Sequence, residues 1–111
     1  MDNITVESDA IRGGFLKFEW DENKNKLNTT KHNISFERAK TVFNDKNAIY
    51  MHDVEHSAED DRFVVIGRDE LLMELTVCHC YRGNDEEIIR LISARKATKN
   101  EVSLYTKGGV E

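Results

Sequence analysis

The chain has 111 residues, with 16 Lys and Arg against 21 Asp and Glu for a formal net charge of −5, and 39% of it is apolar. That is the length of one domain, able to bury roughly two-thirds of the surface its unfolded chain exposes. No apolar run approaches ~20 residues, which excludes a membrane-spanning helix, and the start lacks the basic block and apolar stretch of a secretory signal, so a cytoplasmic protein is expected.

Residues 1–14 are polar, aperiodic and closed by Gly13-Gly14. They are expected to be a flexible leader before a single domain over 15–107, with 108–111 as a flexible tail. Phe15, Leu16, Phe18 and Trp20 make a short apolar strand or staple, and Asp21 is placed to cap a helix running to His32 or Asn33. The asparagines of that helix make it weak on its own. Ser35 caps a second helix, with Ala39, Val42 and Phe43 at helical spacing and Asn44-Asp45 as its stop. From Asn47 the period becomes that of strands, over 48–51, 62–68, 71–82 and 87–95. Turns at Gly67 with Asp69-Glu70 and at Gly83-Asn84-Asp85 make the last three an antiparallel meander. Thr98 caps a closing helix over 99–105. The expected fold is α+β: two N-terminal helices and a C-terminal helix packed on an antiparallel sheet of about four strands.

Alternate residues of a strand share a face. Over 71–82, Met73, Leu75, Val77, His79 and Tyr81 take one side, while Glu74, Thr76, Cys78, Cys80 and Arg82 take the other. If helices cover the first side, the second is a working surface or a partner interface. Cys78 and Cys80 leave the same face too far apart for an unstrained local disulfide, and His79 points the opposite way, so two free thiols are expected rather than a metal site. Acids gather at Asp53 to Asp61 and at Asp85, Glu86 and Glu87, which leaves the bases able to cluster elsewhere despite the negative sum. The adjacent pairs Asp60-Asp61 and Glu86-Glu87 sit in turns, where they read as solvated charges rather than a facing acid–base pair.

The ordered set Phe18-Glu19-Trp20-Asp21, Asn23-Lys24, Lys31-His32-Asn33-Ile34-Ser35-Phe36, Ala39, Val42-Phe43, Arg62, Ile66-Gly67-Arg68, Arg82-Gly83, Arg90-Leu91-Ile92-Ser93-Ala94-Arg95-Lys96-Ala97-Thr98, Glu101 and Tyr105 resembles the BrnT toxins. The resemblance spans residues 15–105. It implies a RelE-like ribonuclease toxin of a type II toxin–antitoxin system that cleaves RNA without a metal or other cofactor. It also implies neutralisation by a BrnA-like ribbon-helix-helix antitoxin encoded beside it, through which alone the complex reaches operator DNA. Where the family has glycine after its Lys-His pair, this chain has Asn33, which also tolerates a left-handed conformation.

Metal-free cleavage requires a base for the ribose 2′-hydroxyl, positive charge on the pentavalent phosphate and a proton for the leaving 5′-oxygen. His32 is the expected proton-transfer residue, since histidine exchanges protons near neutrality, although a histidine closing a helix also serves as a cation at the dipole's negative end. Arg62, Arg82 and Arg95 are expected to hold the scissile phosphate through their planar donor forks. Arg68, Arg90, Lys31 and Lys96 are expected behind them as RNA contacts, with Tyr105 stacking on a base. The competing reading is a non-catalytic partner-binding domain acting only in complex formation and repression.

Overall fold

The computed structural model describes residues 3–11, 13–56 and 60–108. Among them are strands β1 (Ile4–Ile11), β2 (Gly14–Asp21), β3 (Ile49–His52), β4 (Phe63–Arg68), β5 (Glu74–Arg82) and β6 (Ile88–Lys96). Three α-helices accompany them: α1 (Glu22–His32), α2 (Phe36–Ala39) and α3 (Lys99–Thr106). One sheet holds all six strands in the order β1-β2-β6-β5-β4-β3. The α+β class is the expected one and β4, β5 and β6 form the expected antiparallel meander.

Two features of the sheet correct the sequence reading. It has six strands rather than about four, and it is mixed, because β2 runs parallel to β6 from Lys17–Ile88 to Glu19–Arg90. That pairing joins segments some 70 residues apart in the chain, which local periodicity does not encode. Of the two additional strands, β2 covers the apolar segment at the start of the expected domain, and β1 lies within the expected leader. It pairs with β2 along its whole length, from Ile4–Asp21 to Ile11–Gly14. Its alternation of Thr5, Glu7 and Asp9 with Val6, Ser8 and Ala10 is too polar to read as a buried strand, and β1 is held by backbone bonds and by Lys40, whose Nζ lies 2.7 Å from both Glu7 Oε1 and Asp9 Oδ1. The end of the expected tail, 109–111, lies outside the described residues. No helix is long and apolar enough to cross a membrane.

The helices start where the sequence places them. Asp21 accepts from the Asn23 N–H, Ser35 from the Arg38 N–H, and Thr98 with Glu101 forms a reciprocal capping box. Asn33 adopts the left-handed conformation at φ 59° and donates its N–H to Thr29 O, closing α1. The core lies between the sheet and α1, α2 and the following 3-10 turn, Lys40–Asn44. Trp20 packs edge-on to Phe36 and Phe18 edge-on to Phe43, with Val65, Leu75, Val77, Leu91 and Ala94 filling between.

Helix α1 has little apolar surface, and asparagines anchor it. Past Glu19–Arg90 the pairing of β2 with β6 ends, and the side chain of Asn28 takes over that edge. Its Nδ2 donates to Ala94 O and its Oδ1 accepts from the Ala94 N–H, at 2.9 and 3.0 Å, as a neighbouring strand would. Asn25 Oδ1 accepts from the Phe36 N–H while its Nδ2 reaches Glu22 and Glu37. At the other side of the core the 3-10 turn approaches β4 so closely that a Cβ on Gly67 would lie 2.9 Å from Val42 Cγ1 and 3.0 Å from Ala48 Cβ. Only glycine fits there.

Candidate functional site: the arginine face of the sheet

The face turned away from α1 and α2 is the more polar one, as the alternation in β5 implies. Residues opposed across a ladder share a face, and the register places Arg68 opposite Glu74, Arg95 opposite Thr76, Ser93 opposite Cys78 and Arg90 opposite Cys80. Arg82 continues the β5 side of this set. Arg90 and Arg95 are five residues apart, so in a regular strand they would point to opposite faces. They do not, because the register slips between Cys78 and His79: Cys78 opposes Ser93 whereas His79 opposes Leu91. Ile92 is the additional residue of a β-bulge, a device that re-aims side chains near functional sites.

The bulge forms the floor of an open pocket of about 210 Å³. Ile92, Ser93 and Arg95 of β6 line it together with Thr76 and Cys78 of β5, Arg62 and Val64 from β4 and its approach, and Asp53 and His56. The last two flank a 3-10 turn, Val54–His56, tied to the sheet by the Asp53 N–H donating to Arg62 O at 2.8 Å. His56 Nδ1 lies 2.9 Å from Asp53 Oδ2 and 3.1 Å from Oδ1. In the sequence Asp53 is one of the acids gathered over 53–61, and His56 carries no expected catalytic role. The spacing of an acid and a histidine three residues apart was visible, but its meaning depends on the turn that folds it over Arg62.

Of the expected site residues, Arg62 and Arg95 line this pocket. Arg95 is fixed by Glu101 of α3, whose two oxygens accept from Nη1 and Nη2 at 2.7 and 3.0 Å. The Arg95 guanidinium pulls the Glu101 carboxyl down to about 2, so the pair is charged at any physiological pH. Arg82 lies along the same face and meets Asp60 through two bonds, at 3.1 and 3.3 Å, holding the Asp60 carboxyl below its ordinary range. Arg90 pairs with Glu19 at 2.7 Å. Arg68 stands at the far end of the face, paired with Glu74 at 2.9 Å and with its guanidinium 5.7 Å from the centre of the Tyr105 ring.

Tyr105 does not reach the pocket. Its hydroxyl donates to Asp45 Oδ2 at 2.7 Å, and burial together with that carboxylate pushes it up to about 12. Lys31 and His32 ride the last turn of α1, and Lys96 ends β6, its parity putting it with Ala94 on the other side of the sheet. His32, the expected proton-transfer residue, is therefore not brought together with Arg62 and Arg95. Both cysteines are free, as expected. Cys78 lines the pocket, and burial pushes its thiol up, away from reactivity.

The family described as the ribonuclease toxin BrnT of type II toxin–antitoxin systems matches residues 20–101. A crystal structure of the Brucella abortus ribonuclease toxin BrnT, at 26% identity, superimposes with a TM-score of 0.54 over 72% of this chain and 94% of that one. No curated protein matches the chain. The matched region begins at Trp20 and so takes in both sides of the pocket but leaves β1 outside.

Proposed function

The chain belongs to the BrnT ribonuclease toxins of type II toxin–antitoxin systems, and on that premise we propose that it is a metal-independent endoribonuclease whose working surface is the arginine face. The observation that carries this reading is the convergence of Arg62 and Arg95 on one pocket through the Ile92 bulge. Two guanidinium groups on rigid strands present charge and directed donors to a phosphodiester as its negative charge grows, the role a metal ion otherwise fills. Arg95 is oriented in advance by Glu101, so little reorganisation accompanies phosphate binding. Ser93 adds an exposed hydroxyl to the same wall.

The RNA backbone continues from the pocket along Arg82 and Arg90. The Arg82–Asp60 pair has both side chains about half exposed, 40% and 46%, and such pairs contribute roughly 0–1 kcal/mol, so a phosphate displaces Asp60 readily. The remaining expected contacts, Arg68, Lys31, His32, Lys96 and Tyr105, lie outside the pocket and bear on longer RNA only. The reading carries with it a RelE-like organisation of the sheet, a cytoplasmic site of action and a BrnA-like ribbon-helix-helix antitoxin that silences the face.

One observation favours the non-catalytic alternative. Arg68, Arg82, Arg90 and Arg95 each meet a carboxylate of the chain itself, as arginines do on a surface with no anion to bind. Induced expression separates the two. A ribonuclease toxin arrests growth with loss of RNA and is rescued by co-expression of the adjacent antitoxin gene, whereas a binding domain leaves growth and RNA unchanged.

A further inference from the structure

The arginine pocket, on the ribonuclease reading above, has a grip on phosphate but needs a group to take the 2′-hydroxyl proton. We propose that His56, held by Asp53, is that general base, and that the substrate is single-stranded RNA cleaved through its own 2′-oxygen.

Three features place the dyad. His56 lines the same pocket as Arg62, Arg95 and Ser93. Its Nδ1 is committed to Asp53, which fixes the ring and its tautomer with the proton on Nδ1, and leaves Nε2 with its lone pair and with no hydrogen-bond partner among the described residues. The turn carrying both residues is tied to the Arg62 carbonyl, which couples the position of the base to that of the phosphate grip. Base and grip therefore move as one unit.

The step balances without a co-reactant. Nε2 takes the 2′-hydroxyl proton, the 2′-oxygen forms a bond to phosphorus, and the P–O5′ bond breaks with Arg62 and Arg95 carrying the added charge. The 5′-oxygen takes a proton from bulk water, to which the pocket is open, and His56 returns its own to solvent. The products are a 2′,3′-cyclic phosphate and a 5′-hydroxyl end. A duplex is excluded because the attacking 2′-oxygen must come in line with the leaving oxygen, a geometry that a regular A-form strand does not permit.

The groups facing His56 are Asp53 on its own turn, Arg62 at the start of β4, Cys78 on β5 and Arg95 with Glu101 behind it. The test is a pH profile of kcat/KM on a fluorogenic single-stranded oligoribonucleotide in EDTA, with purified full-length chain. His56→Gln is expected to lose at least 100-fold and the ascending limb of the profile, and His56→Ala to recover activity with added imidazole. Asp53→Asn, which removes the carboxylate that orients the His56 ring, is expected to lower kcat with KM nearly unchanged. His52→Gln, outside the pocket, is the control and keeps wild-type kinetics, and thermal melts establish that each variant folds. If His56→Gln retains wild-type rate and profile while Arg95→Ala is inactive, the base lies elsewhere and the ribonuclease reading stands. If folded wild-type chain cleaves no RNA, both fall.

Discussion

Two sets of polar side chains sit against the same strand, β6, and they are used in opposite ways. On its edge, Asn28 is buried and spends its amide on backbone groups of Ala94 and Ile34. On its open face, Arg95 is 42% exposed and is oriented by one carboxylate. A buried polar group must be fully bonded to be tolerated, and so serves the fold. An exposed group held by one carboxylate and a backbone carbonyl is oriented yet accessible, and so serves a ligand. The contrast predicts that changes on the helix side of β6 act on stability, and changes on the open face act chiefly on RNA cleavage, Arg95 adding a stability cost through its pair with Glu101.

The largest expected effect is on the covered side. Trp20→Ala removes a fully buried ring packed on Phe36 and is expected to lower stability by about 3–5 kcal/mol in denaturant titration, enough to unfold much of the population. On the open face, Arg95→Ala or Arg62→Ala is expected to reduce cleavage at least 100-fold, about 2.7 kcal/mol in the barrier, in protein that still folds, with Arg95→Ala also lowering the melting temperature because it leaves Glu101 without its partner. Asn28→Ala strands the Ala94 N–H and is expected to destabilise by about 1–3 kcal/mol while activity per folded molecule is kept. If Asn28→Ala instead impairs cleavage in fully folded protein, the division of labour across β6 is wrong.

Acid titration sharpens the same division. His79 is buried among Phe43, Tyr50, Phe63 and Tyr81, and burial lowers it from its ordinary 6.5 to about 4. The unfolded chain takes up that proton first, so its contribution is complete above pH 6.5 and is lost as pH falls from about 6.5 towards 4. His79→Phe is expected to flatten stability over that window. Glu101 is lowered to about 2 by Arg95, so its contribution holds above its ordinary 4.5 and is lost between about 4.5 and 2. A Glu101→Gln chain is expected to lose that lower step. The smallest effect is at Tyr105→Phe, which removes one bond to Asp45 distant from the pocket: roughly 1 kcal/mol of stability and no change in cleavage.

The helices were legible in the sequence because their signals are local. Asp21, Ser35 and Thr98 cap them as read, and the left-handed Asn33 closes α1. The face split of β5 was legible for the same reason. The Ile92 bulge was not, since two residues opposing one is a property of the pair of strands, and the odd spacing of Arg90 and Arg95 suggested opposite faces. Strand β1 is not legible because backbone pairing, Lys40 and the Thr5 bond to Glu22 hold most of it, with Ile11 alone entering the core. Arg62 and Arg95 were named from the arginine chemistry and the family pattern, but His56 became visible only when its turn was seen beside Arg62.

The account rests on the open face being a ribonuclease site, and the most direct measurement is cleavage of a defined single-stranded RNA by purified full-length chain beside an Arg62→Ala, Arg95→Ala variant shown by thermal melting to be folded at the assay temperature. Wild-type cleavage in EDTA leaving 2′,3′-cyclic phosphate ends, abolished in the folded variant, is the predicted result. Equal cleavage by both proteins, or none by either, would contradict it and return the arginines to surface charge.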